Sequence, residues 1–585
     1  MYSQPGCDPG RAVSRFDRRS FSGGERFTYI GGGSLGAKAL GLARVAEIVR
    51  QKVAPPFHPE IEVDIPLLTV ITTEAFDETI MRRPELFRAS SGSLSDQEIA
   101  SICQSVELPA QLVEDLRVFL THIHAPLAIR SSSLLEDAMH EPFAGVYSTK
   151  LIPNNHSDIR DRLFDLLGAI KCVYASAFYE NARQYLRATR HSCEEEKLAI
   201  IIQQAVGTSQ NSRFYPHISG VARTYNFYPL GHSRPEDGVA HLALGFGKII
   251  VEEGIAWSYS PACPQANPPY NAPGDLLRQS QRHFWSIDMS SRGMIQPANE
   301  NEYLKKHPLS DAESDGTLRF IASTYSAADD RILVGVAGHG PRVLDFAYIL
   351  KIGLIPLNAL IRELLVACAE ALGCAIELEF ALAIPYPEAS PTRFGLLQVR
   401  PMVVSQVRVD VSPEELAAGN VVVSSESALG NGVIDSIRDV VYIRQEAFDA
   451  AHSNSIMREL DALNRRLVSD GCRYVLIGFG RWGSSDPSAG IPVKFGQIAG
   501  ARVIVESPFP GVGFMPSQGT HFFHNLTSFE ILYFSTGGYG DQRIDWAWLA
   551  GQRAAGEAEF VRHVRLQSPL LIKVDGRTGR GVILR

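Results

Sequence analysis

The sequence predicts a protein of mixed α+β or α/β class, built from about three or four folding units. Two observations point there. Short β-branched runs alternate with helical patterns along most of the 585 residues, and a breaker-rich stretch at 411–420 divides a large first part from a smaller second one. With 45% hydrophobic and 21% charged residues, a chain of this length buries a full core without covalent staples.

The elements follow in order. Residues 1–25 are rich in Gly, Pro, Ser and Arg and read as a disordered leader or linker. A strand at 27–30 meets three glycines. A helix then opens with Ser34 as its N-cap and carries Leu35, Leu42, Val45, Ile48 and Val49 on its apolar positions. One or two strands are expected in 61–71, two short helices in 94–122, and a strand beginning at Leu127 that ends on Arg130. The stretch 143–153 reads as extended, 159–190 as one long helical pattern, and 199–206 as a β run. Further strands are expected within 219–229, 242–257, 375–384 and 394–404, with a helix at 356–372. After the break, 440–443, 473–479, 501–507 and 530–534 read as strands of a smaller α/β unit. The expected division is thus 1–25, 26–405, a linker at 406–420, and 421–585.

Composition excludes several classes. The net charge of -8 argues against wholesale nucleic-acid binding. The eight cysteines form no C-x-x-C pair, so neither a zinc site nor a disulfide framework is indicated and a reducing cytoplasm is expected. The first residues lack the apolar core of a secretory signal, and the most apolar stretch, 360–383, is interrupted by Glu363, Glu370, Glu377 and Glu379. No membrane partner is expected.

Three features can carry chemistry. Gly31-Gly32-Gly33-Ser34 enters a helix bearing Lys38, and backbone N–H groups at such a turn, with the helix dipole and a lysine, suit phosphate; the alternative is a plain turn followed by a surface lysine. Arg130 offers a fork of donors matched to phosphate oxygens, Ser131, Ser132 and Ser133 add short donors to it, and Glu136 and Asp137 are expected to hold the arginine or neutralise the empty site; the alternative is a structural ion pair. Alternation puts Glu377 and Glu379 on one face of a strand, and Gln398 and Arg400 on one face of another. Oxygen ligands beside a phosphate-binding arginine suit Mg²⁺ held between protein and nucleotide, whereas the plainer reading is a solvated sheet face.

Taken in order, these stretches resemble the N-terminal nucleotide-binding domain of the pyruvate phosphate dikinase, phosphoenolpyruvate synthase and rifampin phosphotransferase family. The family's G-G-K-x-x-x-L resembles Gly36-Ala37-Lys38-Ala39-Leu40-Gly41-Leu42. Its V-R-S-S…E-D…F-A-G is similar to Ile129-Arg130-Ser131-Ser132, Glu136-Asp137 and Phe143-Ala144-Gly145. V-Q-x-M-V resembles Ile202-Gln203-Gln204-Ala205-Val206, and S-G-V-x-F-T resembles Ser219-Gly220-Val221-Ala222-Arg223-Thr224. D-I-E-W-A and L-Q-x-R-P correspond to Glu377-Leu378-Glu379-Phe380-Ala381 and Leu397-Gln398-Val399-Arg400-Pro401. The resemblance covers roughly 26–405 and implies an ATP-grasp-like domain of two subdomains. It implies that Lys38 and Arg130 bind ATP phosphates, that Arg400 contacts the terminal phosphates, that Glu379 and Gln398 sit near Mg²⁺, and that the strand from Gln203 to Val206 lies beside the adenine. Departures are Lys248 where the family's G-L-G-E has its carboxylate, Glu377 in place of Asp, and Ala37 in the glycine pair.

The last third resembles the family less. Ser427-Ala428-Leu429-Gly430-Asn431-Gly432-Val433 is similar to the opening of the dikinases' swivelling domain, implying a diverged phosphohistidine carrier. His521, after Gly519-Thr520, stands closest to the family's phospho-accepting histidine, with His524 nearby; the alternative is two structural histidines among Phe522 and Phe523. Gly478-Phe479-Gly480-Arg481-Trp482-Gly483 fits G-x-G-x-x-G, but the breaker-rich SSDPSAGIP after it predicts a loop, not a dinucleotide site. Arg481 and His521 are expected to share a phosphate. The residues after 420 are too few for the about 250-residue pyruvate-binding barrel of the dikinases.

The leading expectation is an ATP- and Mg²⁺-dependent phosphotransferase acting on a small-molecule or protein phosphoacceptor. The rivals are an ATP-sensing regulatory module without turnover, and one half of a split dikinase whose partner protein supplies the missing catalytic domain.

Overall fold

The computed structural model describes residues 13–53, 59–88, 94–133, 136, 145–189, 196–227, 233–250, 256–266, 273–278, 280–290, 302–385, 390–402, 404, 409–484, 490–508, 531–536 and 543–585. Two six-stranded sheets organise the first part. The first runs in the order Ser14–Arg15, Phe27–Ile30, Leu68–Ile71, Leu198–Gln204, Leu127–Ser133 and Thr149–Ile152. The second runs Trp257–Tyr259, Val239–Ala243, Ile218–Arg223, Ile376–Ala383, Thr392–Pro401 and Ile61–Asp64.

Alternation along each strand decides which core it feeds. In the first sheet Leu127, Ile129, Leu198, Ile200 and Ile202 turn toward the helices Asp96–Gln104, Ala110–His122 and Ile159–Ala175. Their neighbours Ala199 and Ile201 turn the other way, into a core shared with Leu378, Phe380 and Val399 of the second sheet. The helix Gly36–Ile48 contributes Ala39, Leu42 and Val45 to this shared core and touches both Leu127–Ser133 and Thr392–Pro401. Its start depends on glycine: Gly36 has φ +75°, and a Cβ there would lie 1.9 Å from the Ser132 carbonyl oxygen.

The smaller part is built on a seven-stranded sheet whose neighbouring strands Asp439–Ile443, Tyr474–Phe479, Ala501–Ser507 and Leu532–Ser535 are parallel. One face packs on a five-stranded sheet through Val475, Ile477, Val503 and Ile583. The other face, with Leu476 and Ile504, belongs to a hydrophobic cluster that continues into the first part, where Tyr185 meets Phe495 at 5.5 Å between ring centroids.

Several expectations change. Residues 13–25 were expected as linker, but Val13, Phe16 and Phe21 are buried and Ser14–Arg15 pairs with Phe27–Ile30. The helix begins at Gly36, not beyond a Ser34 cap; the Ser34 hydroxyl instead accepts from the Gly36 N–H at 3.1 Å. The strand from Leu127 does not stop on Arg130, because its serines keep pairing with Leu198–Gln204. The long pattern at 159–190 is broken at Ser176–Phe178 before a second helix, Glu180–Thr189. The break at 411–420 contains the helix Pro413–Ala417, capped by Ser412, and Val409, Val411 and Leu416 pack against Val421 and Val582 of the smaller part. The segment 251–255, within an expected strand region, and Phe143, Ala144 and Asp137 lie outside the described residues.

Candidate functional site

Between the two large sheets lies a cavity of about 250 Å³. Its first wall comes from Ala128, Arg130, Thr149, Leu151 and Gln203. Register explains the grouping: Arg130 stands opposite Thr149 and Ile201, and Ala128 opposite Leu151 and Gln203, so these side chains share one face. The second wall holds Val221, Glu379, Gln398 and Arg400. Here Glu379 pairs across to Val221 on one side and Gln398 on the other, and Glu377 pairs to Arg223 and Arg400. The two strands pair as expected, with a bulge after Glu379, and bring Glu379, Gln398 and Arg400 but not Glu377 to the cavity.

Arg130 joins the walls. Its Nη1 donates to the Leu397 carbonyl at 3.1 Å, and its Nη2 to Gln398 Oε1 at 2.6 Å and Glu379 Oε2 at 3.3 Å. Lys38 lines the cavity from the helix Gly36–Ile48, and its Nζ donates to Glu136 Oε1 at 2.6 Å. Glu136, expected beside Arg130, belongs to Lys38: it also accepts from Ser131 Oγ at 2.8 Å and from the Ser133 N–H at 3.0 Å.

The serines are thus corrected as direct phosphate donors. None of the three lines the cavity, and Ser132 Oγ accepts from the Ala39 N–H and donates to the Leu35 carbonyl, fastening helix to strand. The glycine turn is corrected too. Gly31, Gly32 and Gly33 lie off the cavity; the Gly32 N–H donates to Glu74 Oε2 at 2.5 Å, and the Ser34 N–H to Thr73 Oγ1 at 3.0 Å. These two amides serve the protein's own side chains, away from the cavity.

Glu377 departs from the expected pair of cavity carboxylates. It is 1% exposed, off the cavity wall, and accepts from both Arg223 and Arg400. Glu379 is the carboxylate that reaches the cavity, with Oε1 3.9 Å from Arg400 Nη2. Gln203 lines the cavity with a buried Nε2 that has no partner among the described residues. Gln204, Ala205 and Val206 continue that wall.

Sequence reasoning missed Tyr147, which lines the cavity and donates to Glu196 Oε1 at 2.7 Å. Burial pushes the Glu196 carboxyl up to about 7, against the hydrogen bonds from Ser133 and Tyr147. No local pattern signals this pair, because Glu196 and Tyr147 meet only through the fold. Lys248, noted as a departure, also lines the cavity, with its Nζ 5.4 Å from the centroid of the Trp285 ring.

For a metal, the described residues hold no cluster of three or more His, Cys, Asp or Glu side chains. Glu379 and Gln398, opposite each other in register, offer one carboxylate and one amide oxygen at the cavity wall. Both side chains accept from Arg130 Nη2 here; with that guanidinium turned to a phosphate, the donor set fits Mg²⁺, which takes one or two protein oxygens and completes its shell with phosphate and water. In the smaller part, His521 and His524 lie outside the described residues, as does 485–489 after the glycine run; beyond it comes the short strand Gly490–Ile491. No helix among the described residues is long and apolar enough to cross a membrane. A family model described as the pyruvate phosphate dikinase AMP/ATP-binding domain matches residues 33–419.

Proposed function

Because the chain belongs to the family of the pyruvate phosphate dikinase AMP/ATP-binding domain, we propose that it is an ATP- and Mg²⁺-dependent phosphotransferase that holds ATP between its two six-stranded sheets, in an ATP-grasp-like arrangement. The observation that carries this reading is the convergence of Lys38, Arg130 and Arg400, from three distant segments, on one cavity. Phosphoryl transfer asks little covalent chemistry of a protein; it asks for positioning and charge neutralisation.

The roles follow from placement. Arg130 gives its fork to phosphate oxygens, and Gln398 and Glu379 orient that fork. Lys38 exchanges Glu136 for phosphate or is shared between them. Arg400 meets the terminal phosphates. Gln203 Nε2, a buried donor without a partner among the described residues, faces the adenine together with the strand that follows it. Once Arg130 turns its fork to phosphate, Glu379 and Gln398 would hold Mg²⁺, which would neutralise charge on the phosphate oxygens. In the transfer itself, a nucleophile forms a bond to phosphorus while the bond from that phosphorus to its bridging oxygen breaks, and the electron pair leaves with the shortened nucleotide.

The acceptor is a small molecule, a partner protein or a histidine of the smaller part, His521 first. One observation favours the sensing module as a second reading. The smaller part shares a continuous apolar cluster with the first, whereas a carrier that swings between sites has to leave its dock.

Incubation with β- and γ-labelled ATP decides between them. Acid-labile label on the protein, or AMP or ADP formed in step with an added acceptor, supports transfer. Saturable ATP binding with neither label nor hydrolysis supports the sensor, and absence of binding rejects both.

A further inference from the structure

Behind the phosphate-facing wall, three charged side chains form one row across three strands. Register places Arg223, Glu377 and Arg400 side by side. All three are buried, with 3%, 1% and 4% of their surface exposed. Arg223 Nε donates to Glu377 Oε2 at 2.5 Å, and Arg400 Nε donates to Glu377 Oε1 at 2.7 Å. Arg400 Nη2 also donates to Oε1.

Of these three, only Arg400 lines the cavity. Glu377 is therefore shared between two guanidiniums, and on the cavity side Glu379 Oε1 lies 3.9 Å from Arg400 Nη2. His241, from the next strand, adds no further charge: burial, with the field of Arg223, holds its imidazole down to about 3.

A buried arginine facing a single carboxylate settles into a two-oxygen, fork-to-fork pair that satisfies both partners. Such a pair would neutralise Arg400 and draw its guanidinium toward the sheet. The Arg223 bond occupies Oε2, while the Nε and Nη2 of Arg400 both go to Oε1. We infer that Arg223 is a positioning residue for the nucleotide's terminal phosphates: by holding Oε2 of Glu377 it keeps that carboxylate from closing a two-oxygen pair on Arg400, whose guanidinium stays aimed into the cavity. This rests on the reading of the cavity as the ATP site, and it adds to that reading a residue that touches no ligand. It also assigns Glu377 to arginine placement and leaves the metal to Glu379 and Gln398.

The test is calorimetric titration of the full chain with ATP and with AMP, each with Mg²⁺. Arg400→Met removes the cavity-facing cation and is expected to abolish the preference for ATP over AMP. Arg223→Met is expected to weaken ATP by ~10-fold or more while AMP changes by less than about 2-fold. Arg223→Lys, which keeps the charge, is expected to fall between wild type and Arg223→Met for ATP, and it carries the same comparison if the methionine variant fails to fold.

The outcomes separate the two claims. If Arg400→Met leaves the ATP preference intact, the placement of the phosphates is wrong. If Arg400→Met abolishes it but Arg223→Met binds ATP like wild type, or loses ATP and AMP by the same factor, Arg223 is structural and the inference is overturned.

Discussion

At the scale of single residues, the site is a set of cations that already have partners. Lys38 is held by Glu136, and Arg130 by Gln398 and Glu379. Removing one member of a buried pair strands the other, so single substitutions mix binding with stability. The double variant Lys38→Met/Glu136→Gln avoids this; it is expected to keep its melting temperature within a few degrees while ATP binding weakens by ~10-fold or more, as calorimetry would show.

Glu196 gives a second prediction at this scale. Its carboxyl titrates near 7 when folded and at 4.5 when free, so the folded state holds the proton more tightly. Between those values the unfolded chain binds fewer protons, and stability falls as pH rises from about 4.5 to about 7. Glu196→Gln should flatten that part of a melting-temperature profile; an unchanged slope would show that Glu196 is not its source.

The sequence made part of this legible. Period-two alternation put Glu379 and Gln398 on matching faces, and the register bears that out. The job of Glu377 was not readable, because its second partner comes from a strand 154 residues away. The serines after Arg130 looked like phosphate donors because hydroxyls beside an arginine have that chemistry. Only the position of the helix Gly36–Ile48 shows that one of them is committed to it, and only the turn at Glu136 accounts for the other two.

At the scale of elements, the helix Gly36–Ile48 is the part that ties the two sheets to Lys38. Gly36 sits where a Cβ would collide with the Ser132 carbonyl, in a left-handed conformation. Gly36→Ala is therefore expected to cost more than about 2 kcal/mol in denaturant unfolding and to weaken ATP binding by displacing Lys38. A neutral effect on both would show that the helix start can shift freely. Strands and helices with clear periodicity were legible, including Leu357–Leu372 and Ile376–Ala383. The helix start was misjudged because Ser34 has the side chain of a cap, yet that hydroxyl serves the Gly36 N–H in the turn. The glycine turn was misjudged because its amides are taken by Glu74 and Thr73, from a helix that follows another strand.

At the scale of the whole molecule, the two parts are joined by more than a linker. Residues 409–417 pack onto the smaller part, and Tyr185 meets Phe495 across the junction. The full chain should unfold with both parts coupled. Phe495→Ala, which opens a cavity at a site 6% exposed, should cost about 3 kcal/mol and split the calorimetric transition in two. A transition that is already split in the wild type would instead show independent units. None of this was readable from composition, which marked 411–420 only as a break, because a short capped helix and a breaker-rich linker share the same residue types.

The central claim is that Arg130, reaching from one sheet to the other, organises a Mg²⁺–ATP site. Calorimetric titration of Mg²⁺–ATP into the wild type and into Arg130→Met tests it most directly. The account predicts one saturable site in the wild type and a loss of ~100-fold or more in the variant, measured well below the melting temperature of both, where their circular dichroism spectra coincide. Equal binding by the two proteins, or none by the wild type, would contradict it.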